Sequence, residues 1–116
     1  MSDAANSIAL GSKALDGLQM RMAALAANMA NASSPQYQEV AVNFERALRD
    51  AAAKGAMAVD ALRFSYQAGH VFAPGEDRRM DLIIADAAQT ATRYSALVDM
   101  LGRRMALASV AIGGQG

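Results

Sequence analysis

The sequence predicts a single all-α domain in which two long helices pack against each other as an antiparallel coiled coil. Apolar residues make up 53% of the 116 residues, whereas aromatic residues make up only 5%. Alanine is the most frequent residue, and it combines the highest helix propensity with a side chain that lets helices approach closely. Apolar side chains also recur at helical spacing near both ends of the chain. We therefore expect one domain over residues 1–116, with helices within 1–32 and 76–113 and a central segment at 33–75.

The first helix is predicted by a 3-4 spacing of apolar residues between Ile8 and Ala32, which corresponds to a helix of about 24 residues. Residues that favour an N-cap precede this pattern or lie at its start, namely Ser2, Asp3, Asn6 and Ser7. The helix should end in the segment 31–35, where Asn and Ser side chains compete for backbone hydrogen bonds and Pro35 disfavours helix at the residue before it. The predicted packing seam consists of Ile8, Leu15, Leu18, Met22, Leu25 and Met29.

The central segment is less regular. A short helix is expected from Asn43 to about Lys54, with Asn43 as its N-cap and Gly55 at its end. Apolar and polar residues then alternate over residues 62–67, which predicts one short strand or hairpin before Gly69.

The second long helix should follow the turn residues 73–75, because Glu76 and Asp77 suit the positive end of a helix dipole, and it should run to Gly113 and Gly114. Its seam includes Tyr94, Leu97, Leu101 and Met105. Each helix has one narrow apolar seam, and the simplest way to bury both is to pack the helices side by side in opposite directions.

The residues offer little for catalysis, so we expect no enzyme, no cofactor and no metal site. The chain has no cysteine, and its one histidine, His70, cannot form a His pair or a relay with a second histidine. We expect His70 to be a loop residue or a half-buried structural histidine. The 11 basic and 11 acidic residues balance, which gives no field that would attract nucleic acid.

We expect no secretory signal and no membrane-spanning run in the N-terminal region, because charges at Asp3, Lys13 and Asp16 interrupt it. Export from the cytoplasm would therefore require a route without a cleaved signal peptide.

The end of the first helix resembles the N-terminal signature of flagellar rod and hook proteins, which reads roughly A-x-N-x-A-N-x-x-T-P-G-Y. The matching residues here are Asn28, Asn31, Pro35 and Tyr37, with Ser34 in place of Thr. Gln36 stands where the family has Gly, and we expect the turn to have adjusted to a negative φ at this position. Further similarity lies at Phe44 and Leu48, at residues 80–82, and at residues 94–97 with Leu101.

The resemblance implies a structural subunit of the flagellar basal body that is exported by the flagellar type III apparatus and assembled into the periplasmic rod. A chain of this length has no space for the inserted β domains of distal rod and hook proteins, which implies the proximal rod. The implied partners are copies of itself, other rod proteins, the basal-body adaptor FliE, the MS ring and the export apparatus, without nucleic acid or direct insertion into a membrane.

Two other functions compete with this interpretation. A cytoplasmic helical adaptor could use the same seam to bind a partner helix. A protein that lies on a membrane surface is disfavoured by the balanced charge and the scarcity of aromatic residues.

Overall fold

The computed structural model describes residues 3–73 and 75–113 and is mostly helical. The elements occur in the order α1 Asp3–Ala30, β1 Val40–Ala41, α2 Glu45–Lys54, α3 Ala56–Ala61, β2 Gln67–Ala68 and α4 Met80–Gly113. The molecule is elongated, with principal extents of 65 × 25 × 14 Å. Both long helices that the sequence predicts are therefore present, joined by a small, mixed central segment.

Helices α1 and α4 pack along each other in opposite directions. Gly11 contacts Leu101, whereas Met29 lies near Ala87 at the other end of the pair. A Cβ at Gly11 would lie 3.0 Å from a Leu101 methyl carbon, so the absence of a side chain lets the helices approach closely.

Helix α1 extends further towards the N-terminus than the apolar pattern indicates. It begins at Asp3, so the N-cap candidates Asn6 and Ser7 lie inside the helix, and Ser2 lies outside the described residues. Its end at Ala30 agrees with the expected stop, because the turn residues follow directly.

Helix α4 begins at Met80 rather than at Glu76, so the expected start was wrong. The Glu76 carboxylate accepts a hydrogen bond from the Ala73 backbone at 2.9 Å and thereby stabilises a loop instead of a first helical turn. Arg79 has φ of 50°, which is outside the helical region. The helix continues to Gly113, the last described residue, while Pro74 and Gly114 lie outside the described residues.

The predicted cap of α2 was also wrong. Phe44, not Asn43, is the N-cap residue, and it makes no side-chain capping bond. Asn43 instead donates its backbone N–H to the Gln67 side chain at 3.2 Å, which ties it to the following strand. Gly55 ends the helix as expected, with φ of 117°, and the short helix α3 after it was not predicted.

The expected strand is displaced and has a distant partner. Gln67–Ala68 pairs antiparallel with Val40–Ala41, with Val40 opposite Ala68, so the two strands are not a local hairpin. Leu62 and Phe64, whose alternation predicted the strand, pack against the core from the preceding loop.

The core lies where α1 meets the central segment, and Phe44 is at its centre. The Phe44 ring lies 5.3 Å from the Phe64 ring and fills the space above Gly17 of α1. Tyr94 and Leu97 of α4 pack against the same cluster, so the two-helix seam and the core are continuous. The buried cluster consists of Leu18, Ala24, Val42, Phe44, Leu48, Ala51 and Val59.

Candidate assembly surface

Asn28 connects the end of α1 to the first strand. It is buried, with 4% of its surface exposed. Its side-chain amide donates to the Val40 carbonyl at 2.8 Å, and its side-chain oxygen accepts from the Val40 N–H at 3.0 Å. Asn carries one acceptor and a donor group on the same planar amide, so it pairs with a peptide as a neighbouring strand would. These two hydrogen bonds hold the chain against α1 after the turn.

Asn31 acts locally at the end of the helix. Its side-chain amide donates to the Ala27 carbonyl at 2.8 Å, and its backbone N–H donates to the same carbonyl at 3.1 Å, so Asn31 bonds twice to the last turn of α1. Ser34 then donates its N–H to the Asn31 carbonyl at 3.0 Å, and Tyr37 donates to the Ser34 carbonyl at 3.1 Å. The two asparagines of the motif therefore have different roles, one long-range and one local.

The turn over residues 34–37 accommodates Gln36 without a left-handed backbone. Pro35 occupies the second position of this turn, which its fixed φ favours. Arg79 is the one non-glycine residue with positive φ among the described residues, so the expectation of a non-positive φ at Gln36 is confirmed.

Arg78 was missed as a contributor to this turn. Arg79 donates to Asp81 at 2.9 and 3.1 Å, so these two exposed charges neutralise each other locally. Arg78 instead donates to the carbonyls of Ser34 and Tyr37 at 3.1 and 2.8 Å, and it stacks over Phe72 at 5.0 Å. A basic residue beside acidic neighbours carries no sequence signal for bonds to distant backbone carbonyls.

A second arginine, Arg21, links α1 to α2. It donates to the Val42 carbonyl, makes two hydrogen bonds of 2.6 Å to the Glu45 carboxylate and lies over the Phe44 ring at 4.7 Å. The hydrogen bonds from Arg21 lower the pKa of Glu45, and they outweigh the opposite effect of partial burial. Arg21 and the helix-interior Gly17 were not singled out, although an isolated glycine within a helical pattern often indicates a packing constraint.

His70 lies in an exposed loop, as expected for a structural histidine. It bonds to Glu76 at 2.9 Å and contacts the Phe72 ring edge-on at 4.5 Å. The pKa of Glu76 is lowered, first by the hydrogen bond from the Ala73 backbone and then by the bond to His70. These contacts shape the loop before α4.

The predicted seam residues are unevenly buried. Leu18 is buried in the core, and Met105, expected in the seam, is 54% exposed. Met105 lies towards the α4 end, where few side chains are covered by α1. The half-buried members are Ile8, Leu15, Met22, Leu25, Met29, Tyr94, Leu97 and Leu101.

The last part of α4, residues 105–112, forms an exposed surface that we call the apolar end. It reads Met-Ala-Leu-Ala-Ser-Val-Ala-Ile and carries no charge on any side. Leu107, Val110 and Ile112 are 68%, 71% and 73% exposed. Leu107 follows Leu101 by six residues and so lies about 120° round the helix from the contact with Gly11. A helix that is apolar on all sides is normally buried.

A separate apolar groove lies between α1, α2 and Leu97 of α4. It has a volume of about 540 Å³, and its floor includes Leu10, Ala14, Phe44 and Leu48. Because such a groove can accept an apolar helix face, the chain carries both an exposed apolar helix end and a surface of matching character.

No protein-family model matches this chain, and no curated protein matches it significantly. None of the described helices is long and apolar enough to cross a membrane. Within residues 3–73 and 75–113, no three His, Asp or Glu side chains come together as a metal site. The apolar end and the apolar groove are the features described above that suit association through apolar surfaces.

Proposed function

We propose that this chain is a structural subunit of the bacterial flagellar basal-body rod, of the type of the proximal rod protein FlgB. In this proposal it polymerises through its terminal helices, which pair as an antiparallel coiled coil, and forms the proximal part of the drive shaft and export channel. The observation that carries the proposal is the apolar end of α4, which is largely uncovered in the single subunit. Burial in a polymer would remove that surface from water.

The signature at residues 28–37 supports the same proposal. In this chain the motif has a physical basis, since Asn28 pairs with Val40 and the Asn31 side chain bonds to the Ala27 carbonyl in the last turn of α1. The motif therefore sets the angle at which the central segment leaves the helix pair. In a rod subunit, this angle would determine which neighbour the central segment meets.

The proposed subunit is not an enzyme and works without a cofactor. Its partners are copies of itself and other rod proteins, with the adaptor FliE, the MS ring and the type III export apparatus at the base. Its proposed location is the periplasmic rod of the basal body, reached without a cleaved signal peptide. The other short proximal rod protein, FlgC, is the alternative identity within the family.

A cytoplasmic helical adaptor is the second candidate, and the apolar groove favours it. The groove between α1, α2 and Leu97 has room for an apolar helix face of a different protein. An adaptor would bind its partner in a fixed ratio and would not form part of an isolated basal body.

Deletion and complementation in the source bacterium would test the rod function. We expect a deletion strain to be non-motile, with MS rings but no rods, and basal bodies from wild-type cells to contain the chain. Motile deletion cells with complete rods would contradict the proposal, and absence of the chain from purified basal bodies would favour the adaptor.

A matched pair of substitutions sharpens this test. Leu107→Asp places a charge on the apolar end and should fail to restore motility. Met57→Asp changes a residue of α3 that is 87% exposed and should restore it. Equal motility of the two strains would remove the apolar end from the proposed assembly surface.

A further inference from the structure

The segment just before α4 has an unusual backbone. Arg79 adopts φ of 50°, a left-handed conformation that residues other than glycine rarely adopt. Its carbonyl accepts from the N–H groups of Leu82 and Ile83, so the helix begins immediately after it. The helix thus begins directly after the residue with the strained backbone.

The sequence before this point is suited to a helix. Glu76 and Asp77 are acidic residues of the kind favoured in a first helical turn, and Gly75 precedes them with φ of 83°. Nothing in residues 76–79 prevents helix formation, since they contain neither proline nor glycine. The late start of α4 therefore depends on bonds that these residues make outside a helix, some local and some to the turn after α1.

These bonds are made by residues 76–79, which we call the strap. Arg78 donates to the carbonyls of Ser34 and Tyr37, and Glu76 accepts from the Ala73 backbone. Asp77 accepts the Arg79 N–H through its side chain at 3.1 Å, which stabilises a turn in place of a helix.

The bonding of the strap is incomplete. Arg78 and Glu39 approach each other only to 4.0 Å, and both side chains are nearly covered. One nitrogen of Arg78 and one oxygen of Glu39 are buried without a hydrogen-bond partner. A partly satisfied buried pair of this kind is costly and gives limited stability to the strapped form.

A cleft of about 730 Å³ lies between the strap and the turn after α1. Its walls include Ser33, Pro35, Phe72 and Met80. The strap is therefore bordered by open space.

We infer that residues 76–79 are a two-state strap. In one state they tie the loop to the Ser34–Tyr37 turn through Arg78. In the other they form the first turn of α4, which lengthens the helix by about 6 Å and frees the turn carbonyls and the Glu39 carboxylate. The strained φ of Arg79 favours the helical state, and the bonds of Arg78 and Glu76 favour the strapped state. This inference does not depend on the proposed rod function.

Two substitutions at position 79 test the strap. Both Arg79→Gly and Arg79→Ala remove the exposed ion pair with Asp81. Any difference between the two variants therefore reports the backbone preference of residue 79. Glycine tolerates positive φ and disfavours helix, whereas alanine has the opposite preferences. We expect the ratio of strapped to helical forms to differ by about tenfold or more between the two variants.

The measurement is the ¹³Cα chemical shifts and amide exchange rates of residues 76–80 by NMR in the purified chain. The Ala variant should show helical shifts over this segment, and the Gly variant should keep the strapped shifts. Arg78→Gln, which removes the tie without touching Arg79, should also move the segment towards helix. If the Ala and Gln variants both keep strapped shifts while α1 and α2 remain folded, the inference is wrong. If the Ala variant does not fold, the Gln variant decides between the two outcomes.

Discussion

Asn28 shows how one buried polar side chain can organise a chain reversal. A buried amide without partners would cost free energy, but both sides of the Asn28 amide bond to Val40. The same residue therefore holds β1 against α1 and positions the strand for its pairing with Ala68. A local turn alone could not do this, because its hydrogen bonds end at Tyr37.

Replacement of Asn28 by Ala should lower the free energy of unfolding by about 1–3 kcal/mol, because it leaves the Val40 N–H and carbonyl without partners. Asn31→Ala is the matched control. Asn31 makes one local bond at a helix end, so its loss should cost less than about 1 kcal/mol. Urea denaturation followed by circular dichroism measures both values. Equal losses would mean that the long-range bonds of Asn28 are not what stabilises the turn.

The Arg21–Glu45 pair predicts a defined pH dependence. The pKa of Glu45 is below its ordinary value of 4.5 in the folded chain, so the folded state binds the carboxyl proton more weakly than the unfolded state does. The resulting stability is present above 4.5 and is lost as the pH falls through the lowered folded-state pKa. Because the Glu45 side chain is half exposed, we expect less than about 1 kcal/mol.

Glu45→Gln is the comparison for this effect. At neutral pH the variant should be less stable than the wild type, and the gap should close in acid. If the difference in free energy of unfolding between the two proteins stays constant at pH values far below 4.5, the charge of Glu45 is not the cause of that difference.

At the scale of elements, the glycines of the long helices differ in what surrounds them. Gly17 faces the Phe44 ring, and an added Cβ would lie 2.5 Å from it. Gly102 of α4 has no atom within 4 Å of the corresponding position. The first glycine is required by packing between α1 and the central segment, whereas the second has only the conformational cost of glycine in a helix.

We therefore expect opposite effects from the same substitution. Gly17→Ala should destabilise the chain by about 1–3 kcal/mol, because the Phe44 ring must move in a packed core. Gly102→Ala should stabilise it by about 0.5–1 kcal/mol through helix propensity. Thermal unfolding, followed by the α-helical circular dichroism signal, measures both changes in stability. A stabilising Gly17→Ala would contradict the packing of Phe44 over α1.

At the scale of the whole molecule, the uneven distribution of apolar surface is the main feature. The core lies where α1 meets the central segment, while the apolar end of α4 remains uncovered. The chain buries its core and still exposes an apolar surface. A single contact of two helical turns buries less than the roughly 800 Å² per partner of a standard stable interface, so isolated pairs should be weak.

Sedimentation velocity of the purified chain would test this balance. We expect a monomer in dilute solution and reversible association as the concentration rises, because the apolar end is removed from water in the associated form. Leu107→Asp should weaken association by at least tenfold, since burial of a charge is costly. Met57→Asp should leave it unchanged. Equal association of both variants would exclude the apolar end as the contact.

Local patterns in the sequence were sufficient to predict the two long helices, the glycine stop at Gly55 and the turn after α1. Each depends on residues close together in the chain, through helical periodicity or the backbone preferences of Pro, Gly and Asn. Only the tertiary structure decided that Asn28 pairs with Val40, that β2 pairs with β1 and that Arg78 bonds to the Ser34 and Tyr37 carbonyls. These features join residues far apart in sequence, and their partners are determined by the packing of α1 against the central segment, which periodicity does not encode.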